Sequence, residues 1–269
     1  MYLSLATQLI TTETMVKHML ERLRKRIREK KDNANTPPVL IVALGDSVTH
    51  GYTQDRIEHD AVYHRRLQLW LESHYPETVF SVINAGVNGD SSAGGLKHLD
   101  RDVITHQPDL VLIAFGLNDT SGGLEKLPEF HQNLVNMIGT IRTNTEADIV
   151  LLTPNFMATR PNDCVPEKYV ESIDDFIQLQ KHGIVAAYAQ EIRDVSDELT
   201  VPLADVYAAW QQLADTGVDT TSMLANGINH PIGDAHQIAA DAIIRLINPE
   251  ITSTEDENLG DAVAPKNTA

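Results

Sequence analysis

The chain has 269 residues, of which 42% are apolar, so one sizeable core can form and a single α/β domain is expected. Its 38 acidic and 21 basic residues give a formal net charge of −17. This charge argues against nucleic acid as a partner, because a phosphate backbone repels such a surface.

The sequence contains no apolar run long enough for a transmembrane helix. Its first residues lack the basic and apolar regions of a signal peptide. The single cysteine, Cys164, cannot form an intrachain disulfide, which fits a reducing compartment. Together these features predict a cytoplasmic location.

Residues 1–37 are predicted to form a basic amphipathic helix followed by a polar linker. The helix carries apolar residues at helical spacing, namely Val16, Met19 or Leu20, Leu23 and Ile27. Such a helix can contact a membrane surface or an acidic partner. We favour a helix that lies along the acidic body of its own chain, because charge runs are usually solvated surface.

In residues 38–249, short apolar runs alternate with helical patterns. The predicted strands are 39–44, 79–84, 110–115, 149–153 and 201–204, and the predicted helices are 60–73, 93–105, 128–143, 169–180, 184–199, 205–214 and 236–247. This alternation predicts an α/β fold, a three-layer α/β/α sandwich with a central parallel sheet of about five strands. Residues 250–269 are polar and acidic and are predicted to be disordered.

The first predicted strand ends in a tight Gly-Asp-Ser turn that places Ser47 at the carboxyl edge of the sheet. Open α/β sheets bind ligands at this edge. Ser47 alone is better explained as a helix N-cap. It is not in a Gly-x-Ser-x-Gly elbow, which argues against the α/β-hydrolase fold.

Three later stretches change this interpretation: VINAGVNGD at 82–90, LVLIAFGLND at 110–119 and NGINHP at 226–231. With the Gly-Asp-Ser turn, they resemble the four sequence blocks of the GDSL-type, or SGNH, hydrolases. The resemblance extends from about residue 38 to about residue 247. It implies a flavodoxin-like fold and ester hydrolysis.

By this resemblance, Ser47 is the nucleophile and His230 is the base. The oxyanion hole would consist of the N–H of Ser47, the N–H of Gly89 and the side-chain amide of Asn118. A glycine lets the backbone approach a substrate closely, and an amide donates hydrogen bonds without charge. The alternatives are Gly86 in place of Gly89, and an Asx-turn role for Asn118.

One position departs from the family pattern. The family usually has an aspartate three residues before the histidine, and this chain has Gly227 there. We therefore predict a Ser47–His230 dyad in which the imidazole donates to a main-chain carbonyl within residues 225–228. Replacing Gly227 with aspartate is expected to restore the family acid.

Other polar residues near these blocks are expected to be structural. Asp46 and Asp119 should brace loops, and His236 should pack or cap a helix. The sequence has no cluster of metal-ligand spacing and no phosphate-binding loop, so neither a metal nor a cofactor is expected.

The predicted activity is serine-dependent hydrolysis of a small-molecule carboxylic ester through an acyl-enzyme. Few aromatic residues (5%) and no apolar lid favour short acyl groups, such as acetyl on a carbohydrate or a small alcohol. The alternatives are a thioesterase or lysophospholipase of the same fold and a non-catalytic carbohydrate-binding relative. The presence of all four site residues argues against the last of these. The oligomeric state is left open.

Overall fold

The computed structural model describes residues 20–248, and a parallel sheet lies at the centre of this part of the chain. Its strands are β1 Val39–Gly45, β2 Phe80–Gly86, β3 Leu110–Ala114, β4 Asp148–Leu152 and β5 Leu203–Ala204. Their order is β2-β1-β3-β4-β5, and every neighbouring pair is parallel. The predicted central sheet is therefore confirmed.

Helices cover both faces of the sheet. They are α1 Glu21–Asp32, α2 Ser47–His50, α3 Tyr63–His74, α4 Ser92–Asp102, α5 Leu127–Asn144, α6 Ile173–Lys181, α7 Ile184–Leu199, α8 Val206–Asp215 and α9 His236–Ile247. Successive strand side chains point to opposite faces. Ile41 and Ala43 belong to one core, and Val42 and Leu44 belong to the other. This arrangement is the expected three-layer α/β/α sandwich.

The main differences from the predicted elements lie at their ends. The fifth strand was predicted over four residues and spans two, because Pro202 has no N–H to donate to a ladder. The helix predicted over 169–180 begins later, at Ile173, after a 3₁₀ turn at Glu167–Tyr169. That turn becomes important at the site described below.

Helix α1 packs against the amino edge of the sheet. Leu20, Leu23 and Ile27 are buried in the same core as the strand residues. For residues 20–32 the helix therefore lies on the body of its own chain, as the favoured interpretation had it. A membrane or acidic partner for this segment stays a prediction.

Two predicted regions lie outside the described residues. They are residues 1–19, which include Val16 and Met19 of the apolar stripe, and residues 249–269, which include the tail predicted to be disordered. Among residues 20–248, no helix has the length and hydropathy needed to cross a bilayer.

Candidate active site

The site lies where the carboxyl ends of three neighbouring strands are level with one another. Gly45, the last residue of β1, pairs with Gly86 on β2 and with Ala114 on β3. The segments that follow these strands carry Ser47, Gly89 and Asn118. Strand β1 lies between its two neighbours, at the point where the strand order reverses. A doubly wound sheet binds ligands at this switch point.

Ser47 is the first residue of the short helix α2. Its neighbour Asp46 caps the helix, and the Asp46 carboxylate accepts a 2.8 Å hydrogen bond from the backbone N–H of Val48. An N–H at the first helical position has no acceptor within the helix. The Ser47 N–H is therefore available to a substrate oxygen, beside its own hydroxyl.

His230 lies against Ser47, as predicted. The Ser47 Oγ is 2.8 Å from His230 Nε2, and His230 Nδ1 is 2.8 Å from the carbonyl oxygen of Thr53. A carbonyl can only accept, so Nδ1 carries the proton and Nε2 is the acceptor that faces Ser47. Burial lowers the pKa of His230, while the hydrogen bond to Thr53 opposes this shift. His230 is therefore a neutral base in the tautomer that proton removal from Ser47 requires.

The prediction of a carbonyl acceptor within residues 225–228 is wrong about its position. The carbonyl of Gly227 instead accepts from Asn162 Nδ2 at 2.8 Å. Thr53 is held in place because its N–H and its hydroxyl both donate to the carbonyl of Arg56, at 2.9 and 3.0 Å. Every residue type has a carbonyl, so the sequence held no signal for Thr53.

Asn226 organises the loop that carries His230. Its side-chain oxygen accepts from the backbone N–H groups of Ile228, Asn229 and His230 at 3.0, 3.0 and 2.9 Å. Three bonds to one oxygen fix the loop and aim the imidazole. In the sequence, Asn226 stands out only as an uncharged neighbour of the missing acid.

The loop geometry at Gly227 disfavours the family aspartate. Its φ is +64°, a conformation that L side chains rarely adopt. A Cβ at this position would lie 2.1 Å from Asn162 Oδ1. The expected rescue by aspartate is therefore corrected: the substitution strains the loop before it can supply a carboxylate.

The two other candidate oxyanion donors flank Ser47. Gly89 has a φ of +74°, and the space where its Cβ would lie is open. The Asn118 amide donates to the carbonyl of Asp90 at 2.7 Å, which leaves its second N–H for a ligand. Gly86 does not share this role, because its N–H is bound by the Asn84 side chain at 3.0 Å.

The nearby acids brace loops, as expected. The Asp119 carboxylate accepts from the N–H and hydroxyl of Ser92 and from the N–H of Gly116, at distances of 2.6 to 3.2 Å. Asp46 is fully enclosed. Burial, together with the charges of Asp119 and Asp90, raises the pKa of Asp46 to about 7.

His236 is structural, as expected. It is buried at the start of α9 and stacks on Tyr63, with ring centroids 6.4 Å apart. Burial lowers its pKa to about 3. His236 is thus a neutral packing residue that does not line the cleft.

Ser47 and His230 open into a cleft of about 360 Å³. Its walls combine aromatic side chains with neutral amides: Tyr52, Tyr169, Phe176, Gln54, Asn88, Asn118, Asn226 and Asn229. Tyr52 meets the His230 ring edge-on, at a centroid distance of 5.7 Å. Among residues 20–248, no group of three or more His, Cys, Asp or Glu side chains could hold a metal ion.

Comparison with known proteins identifies relatives. The model of the GDSL-like Lipase/Acylhydrolase family matches residues 43–238. An arylesterase of Vibrio mimicus is 35% identical over 124 residues, which cover 42% of this chain and 52% of the relative, about half its length. An acetylxylan esterase of Geobacillus stearothermophilus is 26% identical over 67% of this chain and 78% of the relative.

Solved structures share the fold. Axe2, an acetylxylan esterase from Geobacillus stearothermophilus, has a TM-score of 0.61 at 20% identity, over 78% of this chain and 94% of Axe2. A lipase/acylhydrolase from Enterococcus faecalis has a TM-score of 0.60 at 23% identity, over 77% of this chain and 94% of that one. These structures confirm the predicted fold, and the family model that matches residues 43–238 confirms the family resemblance.

Proposed function

The chain belongs to the GDSL-like lipase/acylhydrolase family, and from this premise we propose that it hydrolyses carboxylic esters through a serine acyl-enzyme. The hydrogen-bonded series Ser47–His230–Thr53 carries the proposal, with its two distances of 2.8 Å. A serine hydroxyl is a weak nucleophile until an oriented base removes its proton. In this chain the orienting group is a main-chain carbonyl.

In the first half of the reaction, His230 Nε2 takes the proton as Ser47 Oγ attacks the ester carbonyl. The oxyanion that forms accepts from the N–H groups of Ser47 and Gly89 and from the free N–H of the Asn118 amide. His230 then gives its proton to the departing alcohol. Water, activated by the same imidazole, releases the acid and restores Ser47.

In this scheme the carbonyl of Thr53 takes the place of a carboxylate, and this replacement makes the protonated form of His230 less stable. A carbonyl fixes the tautomer of His230 as well as a carboxylate does, but it stabilises the imidazolium less. The Axe2 variants described as catalytic mutants include one at an aspartate three residues before the mutated histidine. A base with a lowered pKa keeps its neutral form to lower pH, which supports activity under mildly acidic conditions.

For the substrate, we propose a short acyl group such as acetyl, esterified to a carbohydrate or small alcohol. Neutral amides together with aromatic rings suit a hydroxyl-rich ligand, because amides exchange hydrogen bonds with hydroxyl groups and rings pack on the apolar faces of sugars. We also propose a cytoplasmic location, which the single cysteine supports.

The test is labelling with a fluorophosphonate probe, followed by a screen of acetyl, butyryl and octanoyl esters and of an acetyl thioester. Wild-type protein should label at Ser47 and hydrolyse the acetyl ester fastest. Ser47→Ala should lose labelling and at least about 10³-fold in kcat. Ser73→Ala, on the exposed side of α3, is the matched control and should behave as wild type.

Other outcomes decide against parts of the proposal. Labelling and turnover that survive in Ser47→Ala would remove the serine mechanism. A preference for the thioester would favour a thioesterase, and a preference for octanoyl ester would favour a lipase or lysophospholipase. No labelling and no hydrolysis in the folded wild-type protein would favour a binding module.

A further inference from the structure

The charges around the cleft have the opposite sign to those of the whole chain. The net charge of the protein is −17, yet within residues 20–248 no aspartate or glutamate lines the cleft. Lys168 does line it, as the one permanently charged side chain in that part of the chain. A cleft surrounded by an acidic surface would ordinarily repel an anion, so a locally positive wall is a distinct feature.

The acids next in sequence to Ser47, Gly89 and Asn118 are buried or already hydrogen-bonded. Asp46 lies buried behind Ser47, and Asp90 accepts from His98 Nε2 at 2.7 Å. Asp119 is bound to Ser92. None of these three acids lines the cleft, and none of them forms a salt bridge with Lys168.

Lys168 is positioned by its own turn. It lies in the 3₁₀ turn Glu167–Tyr169, and its ammonium is 4.6 Å from the centroid of the Tyr169 ring. The ring supports the side chain through a cation–π contact. Within residues 20–248, no carboxylate forms a salt bridge with Lys168, so its N–H donors are open to a ligand.

We propose that the natural substrate carries a single carboxylate on its alcohol part, and that this group binds Lys168 while the ester lies at Ser47. An acetylated acidic sugar has this chemistry. One ammonium balances one carboxylate, whereas a phosphate dianion would keep an unbalanced charge within an acidic protein. The inference rests on the proposed ester hydrolysis and adds its substrate class.

The experiment compares three acetylated sugars of similar size: methyl glucuronoside with its free carboxylate, the uncharged primary amide of the same sugar, and methyl glucoside 6-phosphate. We measure kcat and KM for each with wild type, Lys168→Gln and Lys168→Glu. Lys181→Gln is the matched control, because Lys181 is exposed on α6 and does not line the cleft.

Wild type should favour the free carboxylate over its amide in kcat/KM by up to about fivefold, the range of one exposed ion pair. Lys168→Gln should abolish this preference by raising KM for the charged ester, Lys168→Glu should invert it, and Lys181→Gln should retain it. Added salt should weaken the preference in wild type, because exposed charges are screened.

The inference would be overturned, while the proposed function stands, by equal kcat/KM for charged and uncharged acetyl esters, by a preference that survives in Lys168→Gln, or by the phosphate as the best substrate. A protein that hydrolyses none of the three sugars but hydrolyses simple acetyl esters also overturns it. Failure to hydrolyse any ester would instead contradict the proposed function.

Discussion

Two buried aspartates at opposite edges of the sheet have contrasting surroundings. Asp109 precedes β3 at the amino edge, Asp46 follows β1 at the carboxyl edge, and each residue is only 3% exposed. One oxygen of Asp109 accepts from the Nε atoms of Arg22 and Arg26, both at 3.0 Å, and the other accepts from the N–H of Leu40 at 3.0 Å. Asp46 has no salt bridge within residues 20–248, and its charged neighbours are acids.

The two edges of the sheet therefore have different roles. At the amino edge the polar groups satisfy one another, and helix α1 supplies the arginines that do so. At the carboxyl edge, donors on Ser47, Gly89 and Asn118 are left for a ligand, and an unpaired carboxyl group lies behind the nucleophile. Stability is concentrated at one edge, and reactivity is concentrated at the other.

The largest effect in this comparison is expected from Asn118→Ala at the carboxyl edge. Removing one oxyanion donor typically lowers kcat by about 10²–10³-fold. Because the interaction forms mainly in the transition state, KM should change little. Steady-state kinetics with an acetyl ester measure kcat and KM, and a denaturant unfolding curve measures the stability of the variant. A raised KM with unchanged kcat would contradict the oxyanion role.

The counterpart at the amino edge is Asp109→Asn. This change leaves Arg26, whose side chain is 9% exposed, without its buried anion, and should lower the free energy of unfolding by about 3 kcal/mol. The kcat of the folded enzyme should remain that of wild type. Glu146→Gln is the matched control, because Glu146 also pairs with Arg22 but its side chain is 80% exposed. This variant should lower the free energy of unfolding by less than about 1 kcal/mol. Equal losses from both variants would show that burial does not decide the effect.

The sequence predicted the parts of the molecule that depend on local pattern. Apolar runs placed all five strands, and the four motif blocks identified Ser47, Gly89, Asn118 and His230, which line one cleft. Convergence follows from topology alone, because the carboxyl ends of parallel strands share one edge. The amphipathic spacing in α1 also identified Leu23 and Ile27, the apolar residues that the helix buries, but not Arg26 and Lys30, which it buries as well.

The parts that the sequence did not predict depend on tertiary contacts of the backbone. The partner of His230 is a carbonyl that any residue at position 53 would offer. Gly227 was interpreted as a missing acid, whereas its positive φ and the nearby Asn162 show a position shaped for glycine. The arginine pairing of Asp109 joins residues 83 and 87 positions apart, beyond the reach of a local pattern.

The smallest expected effect comes from the same substitution at the other aspartate, Asp46→Asn, and the size of this effect depends on pH. The asparagine side chain would keep an oxygen to accept from the N–H of Val48. The pKa of Asp46 is raised from 3.8 to about 7 in the folded chain, so the folded state binds a proton more tightly than the unfolded state does. The stability that this proton contributes is fully present below about 3.8 and is lost as pH rises to about 7.

Asp46→Asn has no such proton to lose. The free energy of unfolding of Asp46→Asn, minus that of wild type, should therefore increase as pH rises from 5 to 7. This difference should level off above about pH 7. Urea unfolding of both proteins at pH 5, 6, 7 and 8 measures the difference, and subtraction removes the titration of groups that the two proteins share. A difference that stays constant over this range would mean that Asp46 titrates alike in both states. A rising difference, beside a loss at every pH for Asp109→Asn, would establish that the paired edge stabilises the fold while the catalytic edge costs stability.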